Sequence, residues 1–508
     1  MNDSRSDPMP DRTPDPIPDP VLDPLPGWRR LDPRTIAAGT ILTAGGLAVA
    51  AIPLAIGLLL SGVAPGWVAL WTVGGTILGA ATAAVSEAVR LAVTRYRVDD
   101  HRIDRRVRFL SSTTSSLSTG RVRNVEVSTD LVQRRLGVAT VRLSSGETGG
   151  SRLTLNALDR AEADALRHRV LARRATAETS EIASWDPGWV RYAPASLMTP
   201  LFGVIAVGAV FQVADWFGAV PAMLRWFWDR VDSLPLPAIA AGVVVTALLI
   251  GILISVVVFV ENWWNLRLDH HRDGSLEIRR GLLVGRHTTF DGRRVRGVTL
   301  HEPPGFRALR AARLDVIATG VGTTDGNGNQ STSPALLPAS PRGESTRVAE
   351  SVLGGGVPEP LQAHPPQARR RRALRAALAT AALTATALVP ALVWPGLWWI
   401  PVAVAALSGL VTGWIAVDNA RGLGHRVGED AVALRKGSLM RRTDVLTRDG
   451  ILGWNVRRTP FQRRAGLATL VATSAGGTGA FRLPDVAAAE VRGIAATAGD
   501  VWEHLAAD

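Results

Sequence analysis

The residues of this chain whose types and spacing best suit chemistry are arginines set in pairs and triplets. They are Arg105, Arg106 and Arg108; Arg121 and Arg123; Arg134 and Arg135; Arg294 and Arg296; Arg441 and Arg442; and Arg463 and Arg464. A guanidinium is always charged and offers a planar fork of donors that matches phosphate oxygens. Many of these clusters fall beside expected turns, where forks could reach anionic headgroups, and a basic residue near an anionic leaflet gains about 1 kcal/mol. The competing reading is a solvated, arginine-biased surface, since Lys436 is the only lysine in a chain of formal charge +13. That charge fits a membrane surface or nucleic acid. The scarcity of aromatic residues in the basic segments argues against nucleic acid. The chain has no cysteine, which excludes disulfides, thiolate zinc sites and cysteine nucleophiles.

Other candidate chemistry fails on detail. Thr319-Gly-Val-Gly-Thr-Thr-Asp-Gly326 follows an expected strand, but Asp325 stands where the third glycine of a dinucleotide fingerprint belongs and no helix follows. His270-His271, with Asp269 and Asp273 nearby, reads as a hairpin turn rather than a metal site. No P-loop, H-E-x-x-H or G-x-S-x-G motif occurs. The expectation is a non-enzymatic protein with no catalytic set, cofactor or metal.

The arginines sit in a segment that occurs three times. Arg121–Val127 followed by Leu131–Val141 recurs at a shift of 173 residues as Arg294–Leu300 and Phe306–Leu314. It recurs at a shift of 329 as Gly450–Val456 and Phe461–Leu470. The register holds upstream, where Leu117, Phe290 and Leu446 coincide, as do Leu110, Leu283 and Leu439. Three gapless copies set the plan of the molecule.

Between the copies lie six apolar runs: Thr35–Leu60, Trp67–Val85, Ala195–Ala214, Pro235–Val260, Ala373–Trp394 and Leu397–Val417. Each is long enough for a hydrocarbon core of about 30 Å, and only Arg375 interrupts them with a charge. Six such runs set aside the reading as buried helices of a soluble protein. Tryptophans near many of the ends (Trp67, Trp226, Trp228, Trp263, Trp264, Trp394, Trp398 and Trp399) form the expected interfacial belt. Short links join the runs into three hairpins, and Asp215–Leu234 is expected to be the longest connecting loop. Arginines cluster at the open ends of the hairpins, as at Arg90, Arg95, Arg97 and Arg369–Arg372. The positive-inside rule then places both termini and all three polar segments in the cytoplasm. A transporter is the alternative function, although the ionisable groups (Glu87, Arg90, Glu261, Asp418 and Asp215) lie at span ends rather than at a midplane site.

The first polar segment reads as short strands (Tyr96–Val98, Arg102–Leu110, Thr113–Leu117, Arg121–Val127, Val138–Leu143 and Arg152–Leu155) closed by a helix that Asn156 could cap. Its buried side would be Leu158, Ala161, Ala165, Leu166 and Val170. In the third segment a helix is expected from Pro484-Asp485 to Ala507. A small antiparallel sheet or open barrel with one closing helix buries the apolar face of such a set.

Hairpin followed by β-rich segment, three times over, resembles the bacterial membrane-flanked pleckstrin-homology-like proteins of the YdbT-like type. The resemblance rests on the hairpin exits Thr94-Arg-Tyr-Arg-Val98, Asn265-Leu-Arg-Leu268 and Gly424-His-Arg-Val427, and on the Gln133-Arg-Arg-Leu-Gly137 type of core. The second copy departs from it, with Arg307-Ala-Leu-Arg310. The resemblance implies a membrane protein of α plus β class in a bacterial plasma membrane, each polar segment a split seven-stranded barrel closed by a C-terminal helix. It brings no enzyme activity. The expected organisation is a disordered Asp/Pro-rich tail (1–34), hairpin one (35–93), a first PH-like domain (94–175) and hairpin two (195–260). A second domain (261–354) with a disordered insertion (320–344) follows, then a basic linker (355–372), hairpin three (373–417) and a third domain (418–508). The expected function is a multi-pass scaffold whose domains bind anionic phospholipids, protein partners or further copies of the chain, in envelope stress or export.

Overall fold

The computed structural model describes residues 27–496, apart from 61, 100, 110–111, 123, 145–151, 172–178, 217, 272–273 and 320–334. From β1 (Arg29–Arg30) the chain enters α1 (Arg34–Leu60) and returns through α2 (Pro65–Val93). It passes without a loop into β2 (Thr94–Val98), β3 (Arg102–Arg108), β4 (Ser112–Ser118), a 3-10 turn, β5 (Asn124–Thr129), α3 (Leu131–Leu136), β6 (Val138–Ser144), β7 (Arg152–Asp159) and α4 (Arg160–Leu171). The second passage begins with β8 (Thr179–Ser184), α5 (Met198–Trp216), α6 (Val220–Val231) and α7 (Leu236–Trp263). It continues through β9 (Arg267–His271), β10 (Ser275–Arg280), β11 (Gly285–Asp291), β12 (Val295–His301), α8 (Pro304–Ala308), β13 (Ala311–Ala318), β14 (Ala335–Pro341) and α9 (Arg342–Leu353). The third comprises α10 (Pro366–Val393), α11 (Trp399–Arg421), β15 (Gly424–Val427), β16 (Ala431–Lys436), β17 (Arg442–Thr447), β18 (Gly453–Arg457), α12 (Pro460–Arg464), β19 (Leu467–Thr473), β20 (Ala480–Ala487) and α13 (Val491–Ala495). After each hairpin the order is the same: three strands, a 3-10 turn, a strand, a short helix, two strands and a closing helix.

Among the described residues six helices are long and apolar enough to cross a membrane: α1, α2, α5, α7, α10 and α11. Each packs chiefly on its hairpin partner. In α5 and α7 the backbones touch: a Cβ on Gly203 would lie 2.0 Å from the Ala247 carbonyl oxygen, and one on Gly251 2.2 Å from that of Thr199. Such small-residue contact is a usual means of joining helices in an apolar solvent. In the third hairpin Thr380 and Thr412 share a hydrogen bond of 2.8 Å. The outer faces carry large apolar side chains with no protein cover, such as Leu78, Leu253 and Leu410. The expected loop 215–234 instead contains α6, with Met223, Leu224, Phe227 and Val231 along one side and Arg225 and Asp229 on the other. That pattern suits a helix lying in an interface.

Two expected boundaries move because the first strand of a unit precedes its hairpin. β1 pairs with β2, Arg29 opposite Tyr96, and Leu31 is buried in the same core, so residues 29–34 are not tail. Likewise β8 pairs with β9. In the third unit a single bridge joins Gln362 to His425. The first two hairpins are thus insertions after the first strand of the unit that each carries, and the third follows a single bridge at the same place.

The two halves of a unit enclose one core, and three cores result. The first gathers Tyr96, Ile103, Val125, Val141, Leu155 and Leu166; the second is centred on Leu268, Leu300 and Leu336; the third on Leu434, Leu470 and Leu483. Hydrogen bonding does not respect these units. The sheet order β7-β6-β5-β11-β10-β9-β8 joins the second half of unit one to the first half of unit two. The order β14-β13-β12-β17-β16-β15 does the same for units two and three. Four strands (β1-β2-β3-β4) are left at one end of the row and three (β18-β19-β20) at the other. The expectation of separate barrels is corrected accordingly: the ladders are shared, and at the second joint the packing is too, with Ala431, Ala433 and Val445 in the second core and Ile317 in the third.

Three local readings also change. β7 continues through Asn156 to Asp159, whose carboxylate accepts from the Ala161 amide at 2.8 Å and so caps α4. The helix buries Ala163 and Leu166, while Ala161 and Ala165 are exposed. In the third unit Pro484 and Asp485 lie inside β20, and α13 starts at Val491; residues 497–508 lie outside the described residues. Of the expected insertion 320–344, residues 320–334 lie outside the described residues. Its end is β14 and the start of α9, since Ala335, Leu336 and Leu337 complete the second core. The divergent Arg307–Arg310 stretch keeps the local turn nonetheless. Arg310 adopts φ +51°, the left-handed conformation that Gly137 and Gly466 supply in the other copies.

Candidate anion-binding interface

A cluster of arginines without carboxylate partners among the described residues lies around a cavity at the end of α2. Because α2 runs straight into β2, Arg95 follows the apolar helix by two residues. In the β2–β3 ladder Arg95 stands opposite Arg106, and Arg108 is two positions further along β3, so all three share one face. They line a cavity of about 380 Å³ with Trp28, Ala92 and Val93. The Arg106 guanidinium lies over the Trp28 ring, 4.6 Å from its centroid, and its Nε donates to Thr114 Oγ1 at 3.4 Å. Trp28 Nε1 is buried without a hydrogen-bond partner. Among the described residues no carboxylate pairs with Arg95, Arg106 or Arg108, although nearby arginines are paired: Arg97 with Asp99 at 2.8 Å, Arg102 with Asp104 at 3.3 Å and Arg29 with Glu162 at 2.6 Å. Three guanidinium groups without carboxylate partners, an indole N–H without a hydrogen-bond partner and a wall made by the end of an apolar helix suit a phosphate ester with an acyl chain beside it.

In unit two a related stack is drier. The Arg280 guanidinium lies 4.2 Å from the centroid of the Trp263 ring, in a cavity of about 330 Å³ that Phe202, Phe259 and Arg313 also line. Burial, with Arg286 and Arg313 adding repulsion, lowers the pKa of Arg280 to about 10, so it is still charged at neutral pH. Arg313 is held by Asp315 at 2.9 Å. Burial would raise the Asp315 carboxyl, but hydrogen bonds and charge from His301 and Arg313 outweigh it and hold the group below its ordinary range.

Unit three holds several arginines on buried or half-buried carboxylates. Asp418, near the end of α11, accepts from Arg307 at 2.7 and 2.9 Å, from Arg441 at 2.9 Å and from Ser438 at 2.6 Å. Asp485, 1% exposed, binds Arg371, Arg372 at 2.9 Å and Gln462 at 2.9 Å. The result ties the start of α10 to β20. Beside it His364 Nδ1 donates to the Asp485 backbone carbonyl at 3.1 Å, and its ring packs edge-on to His425. Burial and the neighbouring His425 lower the His364 pKa to about 4.

The residues expected to bind headgroups are therefore dispersed. Arg106 and Arg108 line the first cavity, while Arg105, on the other face of β3, donates to the Thr154 carbonyl at 3.1 Å. Arg134 and Arg135 are exposed on α3, which packs against α1, and Arg463 and Arg464 are exposed on α12. Arg441 is held by Asp418, and Arg442 lies 3.4 Å from Asp444. Arg294 lies 3.9 Å from Asp291, and Arg296 donates to the Asp449 carbonyl at 3.5 Å, across the joint between units two and three. Arg121 is placed by its backbone in the 3-10 turn, and Arg123 lies outside the described residues. His271 pairs with Glu277 at 3.0 Å, and no group suited to a metal ion occurs among the described residues. Trp28 was not singled out by the sequence reading; the signal available was a tryptophan directly before Arg29-Arg30.

The model of the family described as bacterial PH domain matches residues 42–174 and 373–502, just over half of the chain. The chain belongs to that family, a non-catalytic type of module. Each match begins in or at the first helix of a hairpin and runs through the unit that follows, and the middle unit falls between the two. No curated protein and no solved structure matches the chain.

Proposed function

We propose that this is a non-enzymatic, multi-pass protein of a bacterial plasma membrane that holds three PH-like units at the cytoplasmic face. The first unit grips anionic phospholipid headgroups through Trp28, Arg95, Arg106 and Arg108. The observation that carries the reading is the cavity at the end of α2, where three arginines without carboxylate partners meet a buried, unpartnered indole N–H. Its position supports a lipid source for the phosphate, because Ala92 and Val93 of an apolar helix form part of the wall. Basic residues concentrated at the open ends of the hairpins support the cytoplasmic orientation. A pore is less well supported, since the close helix contacts lie within hairpins rather than around a common axis.

The test is native mass spectrometry of the full-length protein extracted from membranes containing phosphatidylglycerol and cardiolipin. Anionic lipid should stay bound to the wild type and be lost from the Arg95→Gln/Arg106→Gln/Arg108→Gln variant. Equal retention by both would overturn the assignment.

A further inference from the structure

The row of units ends in two unused halves of a joint that the chain makes twice internally. At the first joint β11 of unit two lies antiparallel to β5 of unit one, with Phe290 opposite Asn124. At the second, β17 of unit three lies antiparallel to β12 of unit two, with Leu446 opposite Gly297. Phe290 and Leu446 occupy the same repeat position, as do Asn124 and Gly297, so the two joints share not only their strands but their register. The strand equivalent to β11 and β17 in unit one is β4, and that equivalent to β5 and β12 in unit three is β18. Among the described residues both are edge strands.

We infer that β4 of one copy of this chain pairs with β18 of another, which joins copies head to tail. The repeat positions set the register: Leu117 opposite Gly453, Ser116 opposite Trp454, Ser115 opposite Asn455, Thr114 opposite Val456 and Thr113 opposite Arg457. This inference does not rest on lipid binding.

Three observations besides the register favour a second copy as the occupant. First, β4 is exposed at Thr114 and Ser116, whereas the equivalent Thr289 of β11 and Thr443 and Val445 of β17 are buried; Leu117, like Phe290 and Leu446, is buried in its own core. Second, the central pair is chemically matched at every joint. Thr288 faces Glu126, Thr299 donates to Asp444 at 3.0 Å, and Ser115 would face Asn455. Third, Trp454 Nε1 on β18 is buried without a partner. Neither edge carries the proline or the inward charge by which edge strands are kept from pairing, and β4 is built wholly of Ser, Thr and Leu. A ladder of about five residues is weak between freely diffusing proteins. Copies confined to one membrane plane meet at a high effective concentration, which favours it. Because the joint is heterologous, it propagates into a closed ring or an open row rather than stopping at a symmetric dimer.

The chain has no cysteine, so disulfide trapping of the full-length protein in its own membrane is unambiguous. Two differently tagged variants, Ser115→Cys and Asn455→Cys, would be co-expressed and mildly oxidised. A crosslinked pair of chains is expected, and the double variant should give a ladder of multimers. The control pair Ser116→Cys with Asn455→Cys, whose side chains point to opposite faces, should not crosslink. Adding Thr114→Pro to Ser115→Cys should lower the crosslink about tenfold, because proline cannot donate to a ladder. No crosslink in the matched pair, equal crosslinking in the control, Ser115→Cys linking to itself, or a product containing a different protein would each overturn the inference.

Discussion

Units one and three share an order of elements and differ in what they do with their arginines. Unit one leaves Arg95, Arg106 and Arg108 without carboxylates around a cavity at the end of α2. Unit three encloses Arg371 and Arg372 on Asp485, and its Asp418 holds Arg307 of unit two together with Arg441. A charge without an internal partner is available to a ligand; a charge paired out of water is a structural fastener, costly to break. One order of elements thus leaves arginines without carboxylates at one end of the row and fastens them on buried carboxylates at the other.

The sharpest way to break this contrast is to release the fastener. Asp485→Ala leaves Arg371 and Arg372 buried without their partner, which should cost about 3–5 kcal/mol. Denaturation of the full chain in detergent would show it, and a cost within error of zero would remove Asp485 from its role. The next effect separates the units by pH. An unfolded histidine titrates near 6.5, whereas folded His364 titrates at about 4. Between these values the unfolded chain binds the extra proton, so stability rises with pH there and is lost as the pH falls from about 6.5 to about 4. The full loss is on the order of 3 kcal/mol, and His364→Asn should flatten the profile without affecting lipid retention by unit one.

The receptor end is probed by Arg106→Gln/Arg108→Gln. At about 1 kcal/mol for each arginine, retention of anionic lipid should weaken about thirtyfold, and less at high salt. The smallest effect is expected from Arg463→Gln/Arg464→Gln. Both side chains are exposed on α12, so stability should change by no more than about 0.5 kcal/mol. Lipid retention should fall less than for the pair in unit one. A larger loss from α12 would reverse the assignment of receptor and anchor.

The apolar runs were legible because a span needs some twenty consecutive uncharged residues, a pattern that packing cannot rearrange. The short strands were legible within a few residues, and so was the three-fold repeat. Errors came where local signals compete. Asn156 resembles a helix cap, but the core claims Leu155 and Leu158 and carries the strand to Asp159. Ala335–Pro341 has a loop-like context, but three fully or nearly buried apolar residues make it a strand. The candidate site was only partly legible. The sequence shows Arg106 and Arg108 as neighbours of other arginines, yet nothing local says that Arg105 turns away to the Thr154 carbonyl or that Trp28 comes to lie under Arg106.

By itself, then, the sequence determined the six long apolar helices, the recurring order of elements and the surplus of positive charge, since each follows from residue type along the chain. Only the tertiary structure decided which arginines lack a carboxylate partner, that the first two hairpins are inserted after the first strand of their units, and that the second edges of β5 and β12 pair with β11 and β17 of the following unit rather than with β4 and β11 of their own. Strand pairing is set by backbone groups that every residue carries. The partner of an edge is therefore chosen by the packing of whole cores, which no local pattern records.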